Sequence, residues 1–153
     1  MPIINNKKTV LVAMSGGVDS SVAAALLKDQ GYNVIGVSLK LWKYQDVGGD
    51  INFEGTCCSI NSINNARDVC HQLGIPHYVL DLSPDFERRV IQNFISEYLN
   101  ARTPNPCIIC NTEIKWNSLF KKCELFEAGL FATGHYARIE RNKNRGKYSL
   151  LKG

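Results

Sequence analysis

Short apolar runs of strand length alternate along the chain with segments whose apolar side chains recur at helical spacing. Thr9 to Met14 (TVLVAM) is rich in β-branched residues, and it is followed by a Gly-containing loop and by VAAALLKDQ, a helical segment that stops at Gly31. The plan repeats with a strand over Asn33 to Leu41. A helix follows in which Ile60, Ile63, Ala66, Val69, Cys70 and Leu73 share one face before Gly74. His77 to Leu82 gives a third strand, and Ser83 with Pro84 opens a helix carrying Phe86, Val90, Phe94, Ile95 and Tyr98. Beyond the loop RTPNPC lies a helical stretch around Ile114 to Phe126, then a fourth core strand at Leu130 to Thr133.

Strict alternation of strands and helices predicts an α/β fold, a doubly wound parallel sheet of Rossmann-like type, whose functional loops follow the carboxyl ends of the strands. Tyr136 to Glu140 and Lys147 to Leu151 flank the polar turn NKNRG and predict a C-terminal β-hairpin. The chain therefore divides into an α/β domain over residues 1–137 and a hairpin extension over 138–153. The longest irregular stretch, Lys43 to Cys58, has a length usual for functional loops.

The 153 residues suit a single domain. No run approaches the roughly 18 consecutive apolar residues of a bilayer span, and Val10 to Met14 is too short for a secretory core. The expectation is a cytoplasmic chain with no membrane partner. In that compartment the six cysteines read as reduced, reactive or metal-binding thiols. The net charge of +4 arises in the second half, where residues 76–153 hold twelve basic and eight acidic side chains against six of each in residues 1–75. Much of this surplus follows Tyr136, which suits either a solvated hairpin or a phosphate backbone.

The loop after the first strand, Ser15-Gly16-Gly17-Val18-Asp19-Ser20-Ser21, sets two glycines and three hydroxyls at the start of a helix. Glycines let a backbone approach closely, the helix N-terminus directs N–H groups outward, and Ser15, Ser20 and Ser21 are candidate donors to phosphate oxygens. A carboxylate beside phosphates is repulsive unless Mg²⁺ lies between them, so Asp19 points to a metal-bound nucleotide. The loop is not a Walker A sequence, because it lacks the Gly-Lys-Ser/Thr ending, and it does not fit G-x-G-x-x-G.

A second motif, Arg102-Thr103-Pro104-Asn105-Pro106-Cys107-Ile108-Ile109-Cys110-Asn111, presents two thiols at C-x₂-C spacing on a two-proline loop. With a helix beginning near Asn111, Cys110 would sit at a helix N-terminus, where the dipole raises the thiolate fraction, so it is the candidate nucleophile. Half of a zinc site completed by Cys57 and Cys58 is the structural alternative. Cys70 and Cys123 fall on apolar helix faces and read as core residues. His135, Trp42 and Trp116 suit ligand contact or packing equally.

The SGGVDSS loop resembles the PP-loop ATP pyrophosphatase superfamily, which grips the pyrophosphate of ATP while a carbonyl oxygen is adenylated. Taken with TPNPCIICN, the Cys57-Cys58 pair, ARDVCHQLGIPHYVLD, Ile114-Lys115-Trp116 and Ala132-Thr133-Gly134-His135-Tyr136, the chain resembles the tRNA-specific 2-thiouridylase family over nearly its whole length. The resemblance implies 2-thiolation of the wobble uridine of tRNA, with ATP and Mg²⁺ as cofactors. It assigns ATP contacts to Ala13, Met14, Ser15, Gly16, Gly17, Val18, Asp19, Ser20, Leu39 and Gly134. It turns Asn105, Pro106 and Cys107 to the target base and aligns Cys110 with the catalytic nucleophile. Cys107 stands where other members carry aspartate; it could substitute as the sulfur carrier, and at C-x₂-C spacing it could form a local disulfide with Cys110.

The family's persulfide-bearing cysteine, tRNA-binding and β-barrel regions are expected beyond Gly153, with a sulfur-carrier or cysteine desulfurase relay protein as partner. An iron–sulfur cluster, held in related thiolases by three cysteines, would take Cys107 and Cys110 as two ligands. The competing readings are another PP-loop ligase or amidotransferase such as GMP synthetase, which gives the TPNPCIIC loop no role, and a non-catalytic nucleotide-binding fragment.

Overall fold

The computed structural model describes residues 8–43, 59–141 and 146–153. Four parallel strands, β1 (Thr9–Ala13), β2 (Asn33–Lys40), β3 (His77–Asp81) and β4 (Leu130–Ala132), form one sheet in the order β3-β2-β1-β4. Helices α1 (Val18–Asp29) and α2 (Ile60–Gln72) make the crossovers from β1 to β2 and from β2 to β3. The return to β4 on the far side of β1 runs through two longer helical arms. The first comprises α3 (Ser83–Phe86), a π-helical turn (Glu87–Ile91) and α4 (Gln92–Leu99). The second comprises α5 (Pro106–Ile109), a π-helical stretch (Cys110–Trp116) and α6 (Asn117–Leu125). An antiparallel hairpin, β5 (Ala137–Arg141) with β6 (Tyr148–Lys152), follows as expected, each strand one residue later than its pattern suggested.

Alternation along the strands builds a core on each face of the sheet. Val10, Val12 and Met14 join Val34, Ala24, Ala66 and Cys70 under α1 and α2, whereas Leu11, Val37 and Leu39 join Phe86, Val90, Ile114, Leu119 and Cys123 under the two arms. Both faces are thus covered, which is the doubly wound arrangement the sequence implied. Cys70 and Cys123 are core residues, and burial pushes both thiols up. Trp42 packs edge-on against Phe86 at 4.8 Å between ring centroids, which assigns it to packing. Gly36 in β2 lies against α2, where a Cβ would come within 2.6 Å of Cys70 Sγ, so the strand lacks a side chain to let the helix approach.

The second arm begins earlier than its apolar spacing suggested. Asn105 caps it, its side chain accepting the Ile108 N–H, and Pro106 fills the first turn, where no intrahelical N–H is required. Arg89 in the first π turn and Glu113 in the second pair at 2.8 Å and join the two arms.

Candidate functional site

The sheet order reverses between β1 and β4, and a cavity of about 270 Å³ opens beyond the carboxyl ends of β1, β2 and β4. This is where a doubly wound sheet binds its ligand. Ala13, Met14, Ser15, Asp19 and Ser20 line it from β1 and the following loop, with Val37, Ser38 and Leu39 from β2. The start of α2 contributes Ser62 and Ile63, the second π stretch Asn111, Lys115 and Trp116, and the segment after β4 Thr133, Gly134 and His135.

The phosphate-type loop is held by its own serines. Ser20 Oγ donates to the Gly17 carbonyl at 3.1 Å and accepts both the Ser15 N–H and the Ser15 hydroxyl, each at 3.2 Å. Ser21 Oγ donates to the same carbonyl at 2.9 Å. The three hydroxyls thus brace the loop, and two of them, on Ser15 and Ser20, belong to residues that line the cavity. The loop also offers an anion its backbone, because Gly17 at the N-cap provides no side-chain cap and the first-turn N–H groups of α1 have no intrahelical acceptor. Gly16 takes a left-handed φ of +79°, and a Cβ there would run into the Ser62 carbonyl. Gly134 meets α1 as closely, since its Cβ would fall 2.5 Å from the Ser20 nitrogen.

Of the residues the resemblance assigns to ATP, Ala13, Met14, Ser15, Asp19, Ser20, Leu39 and Gly134 line the cavity, and Gly16, Gly17 and Val18 complete the loop beside it. Asn105, Pro106, Cys107 and Cys110 do not line it, although Asn111, next to Cys110, does. The expected exposed thiol at a helix N-terminus is corrected. Cys110 lies in the second turn of the arm and is buried in the core with Ile114, whereas Cys107 is exposed. The local disulfide between them is not formed. Alkylation of the folded chain should therefore modify Cys107 rapidly while Cys70, Cys110 and Cys123 react only on unfolding, with peptide mass spectrometry reading the order.

Among the described residues no group of three His, Cys, Asp or Glu side chains could hold a metal ion, and with one thiol outward and one buried the iron–sulfur reading has no support. Cys57 and Cys58, on which the zinc alternative rests, lie outside the described residues. Among the described residues one carboxylate lines the cavity, Asp19, which suits Mg²⁺, an ion that commonly takes one or two carboxylates and completes its shell with water and substrate phosphates.

Two features had no local signal. Trp116 stacks on His135 at 6.1 Å and meets Phe131 edge-on at 5.6 Å, giving the cavity an aromatic wall, while His135 Nδ1 shares a 2.8 Å hydrogen bond with Thr133 Oγ1. At the floor, Ser38 Oγ donates to the Met14 carbonyl and accepts the His77 Nε2–H, both at 2.9 Å. Burial first, and Arg67 second, hold the His77 imidazole below its ordinary 6.5. The folded state therefore resists protonation, so this contribution to stability is intact above about pH 6.5 and is lost as the pH falls toward the lowered value. Denaturant melts at pH 7.5 and pH 5.5 should show the native chain losing more stability on acidification than His77→Gln, whose amide keeps a donor without a titrating charge.

A family model described as tRNA methyl transferase HUP domain matches residues 8–153. The chain is 50% identical over 142 residues to the tRNA-specific 2-thiouridylase MnmA of Cytophaga hutchinsonii, covering 93% of this chain and 38% of that protein. With the protein of the same name from Halothermothrix orenii it shares 56% identity over 144 residues, covering 94% and 39%. The chain thus spans about two fifths of the length of these relatives. A solved structure titled as a predicted subunit of tRNA methyltransferase from Methanocaldococcus jannaschii has the same fold, with a TM-score of 0.50, 22% identity, and 93% of this chain and 58% of that chain covered.

Proposed function

This chain belongs to the tRNA methyl transferase HUP domain family, and from that premise we propose that it is the nucleotide-binding, uridine-activating part of a tRNA-specific 2-thiouridylase. One observation carries the reading. The Ser15–Ser20 loop and the arm that bears Cys107 and Cys110 contribute to the same cavity, at the switch point of the sheet. A PP-loop ligase or amidotransferase acting with ammonia would need no thiol-bearing arm there.

In this reading ATP lies with its phosphates at the uncapped N-terminus of α1, with Asp19 placed to hold Mg²⁺ against them. The bound Mg²⁺ would neutralise phosphate charge. The C2 oxygen of the wobble uridine, a poor leaving group by itself, attacks the α-phosphorus and releases pyrophosphate. A persulfide sulfur then adds at C2 as AMP leaves, and the Cys110 thiolate attacks the persulfide cysteine, freeing the 2-thiouridine sulfur and closing a disulfide. The persulfide cysteine and its relay partner lie outside these 153 residues. Burial of Cys110 means that its arm must shift for that last step. Asn105, Pro106 and Cys107, at the exposed start of the arm, would face the target base. The setting is the cytosol, where tRNA is modified.

The deciding measurement is pyrophosphate release from ATP and Mg²⁺ with and without unmodified tRNA. Release that depends on tRNA is expected. Binding of ATP with no release under either condition would favour the fragment reading, in which the domain holds nucleotide without turning it over.

A further inference from the structure

The Ser15–Ser21 loop carries no lysine, although loops that cradle nucleoside triphosphates commonly end in one that reaches the outer phosphates. The cavity nevertheless holds one, delivered from elsewhere in the fold. Lys115 lines it from the second π stretch, half-buried, and among the described residues it is the one Lys or Arg of the lining, as Asp19 is the one carboxylate. Among the described residues no hydrogen bond or ion pair engages its ammonium. The nearest acidic side chain along its own arm, Glu113, is committed to Arg89 at 2.8 Å. A half-buried lysine lining a cavity, with no acidic partner among the described residues, is placed to meet an anionic ligand.

We propose that Lys115 binds the pyrophosphate portion of ATP, supplying from the Cys107–Cys110 arm the positive charge that the loop lacks. This inference rests on the nucleotide reading above. As the bond between the α-phosphorus and its bridging oxygen breaks, negative charge grows on the departing pyrophosphate, and the ammonium offsets it. Asn111 lines the same cavity four residues earlier on the arm, so nucleotide binding also fixes the segment that follows Cys110.

The test compares binding of ATP and of AMP, each with Mg²⁺, to the full chain as native protein, Lys115→Met and Lys115→Arg, with thermal melts confirming that the variants are folded. Loss of a charge-assisted contact to the outer phosphates should weaken ATP by about tenfold or more in Lys115→Met. AMP affinity should stay unchanged, and Lys115→Arg should recover most of the ATP affinity. Equal ATP affinity in the native chain and Lys115→Met would overturn the assignment, and so would an equal loss for ATP and AMP. If the native chain binds neither nucleotide, the nucleotide reading itself falls and takes Lys115 with it.

Discussion

Gly134→Ala is expected to abolish measurable ATP binding while leaving a folded but weakened domain. The added Cβ would fall 2.5 Å from the Ser20 nitrogen and 2.7 Å from the Asp19 carbonyl carbon. Both are backbone atoms at the start of α1, so no rotamer change relieves the clash. Either the segment after β4 or the N-terminus of α1 must retreat, and each carries lining of the cavity. Forced overpacking of this kind costs about 1 to 3 kcal/mol of stability. The effect on binding should exceed that, because the anion site consists of backbone N–H groups whose directions are set by the displaced turn. Calorimetric titration with ATP alongside a denaturant melt separates the two effects. Undiminished affinity in Gly134→Ala would show that the nucleotide does not sit at this turn.

The second large effect is expected from Asp19→Ala, set against Cys110→Ser. If Asp19 holds the Mg²⁺ that shields the phosphates, its removal should lower tRNA-dependent pyrophosphate release by about a hundredfold or more. Cys110→Ser should leave release near the native rate and abolish thiolated product only when the complete sulfur-transfer machinery is supplied. Because Cys110 packs in the core, serine will also lower stability, so release must be measured well below the melting temperature of that variant. Equal loss of release in both variants would place the thiol in the activation step and overturn the division of labour.

The α/β alternation could be read along the chain because the strands are short apolar runs, β-branched in β1 and β2, and each crossover helix has a clear stop, as at Gly31 and Gly74. The Ser15–Ser20 loop was legible for the same local reason, since its chemistry is contiguous. Where contacts are remote in sequence, legibility ended. Ser62 enters the cavity through packing of α2 against Gly16, and Trp116 through stacking on His135, neither of which leaves a spacing to detect. The start of the second arm was signalled by Asn105 and Pro106 as cap and first-turn residue, but the two prolines read more simply as a rigid loop. Burial of Cys110 also had a signal, in the four-residue spacing from Cys110 to Ile114, which puts both on one apolar stripe of the arm.

The π-helical stretch at Cys110–Trp116 bears on how this chain tolerates insertion and deletion. A π turn closes its hydrogen bonds across five residues where an α turn uses four, so it behaves as a helix into which an extra residue has been admitted. Deleting one residue there would let the arm relax to α geometry at little cost to its hydrogen bonding. Side chains beyond the deletion would keep nearly their present facing, because the residue lost is the one the wider turn had absorbed. Leu119 would stay in the core, while side chains inside the stretch, Lys115 and Trp116 among them, would shift against the cavity they line. Loss of one residue between Cys110 and Trp116 should therefore spare the fold and cost the cavity its wall, so the wider turn marks where function, not folding, sets the length of the arm.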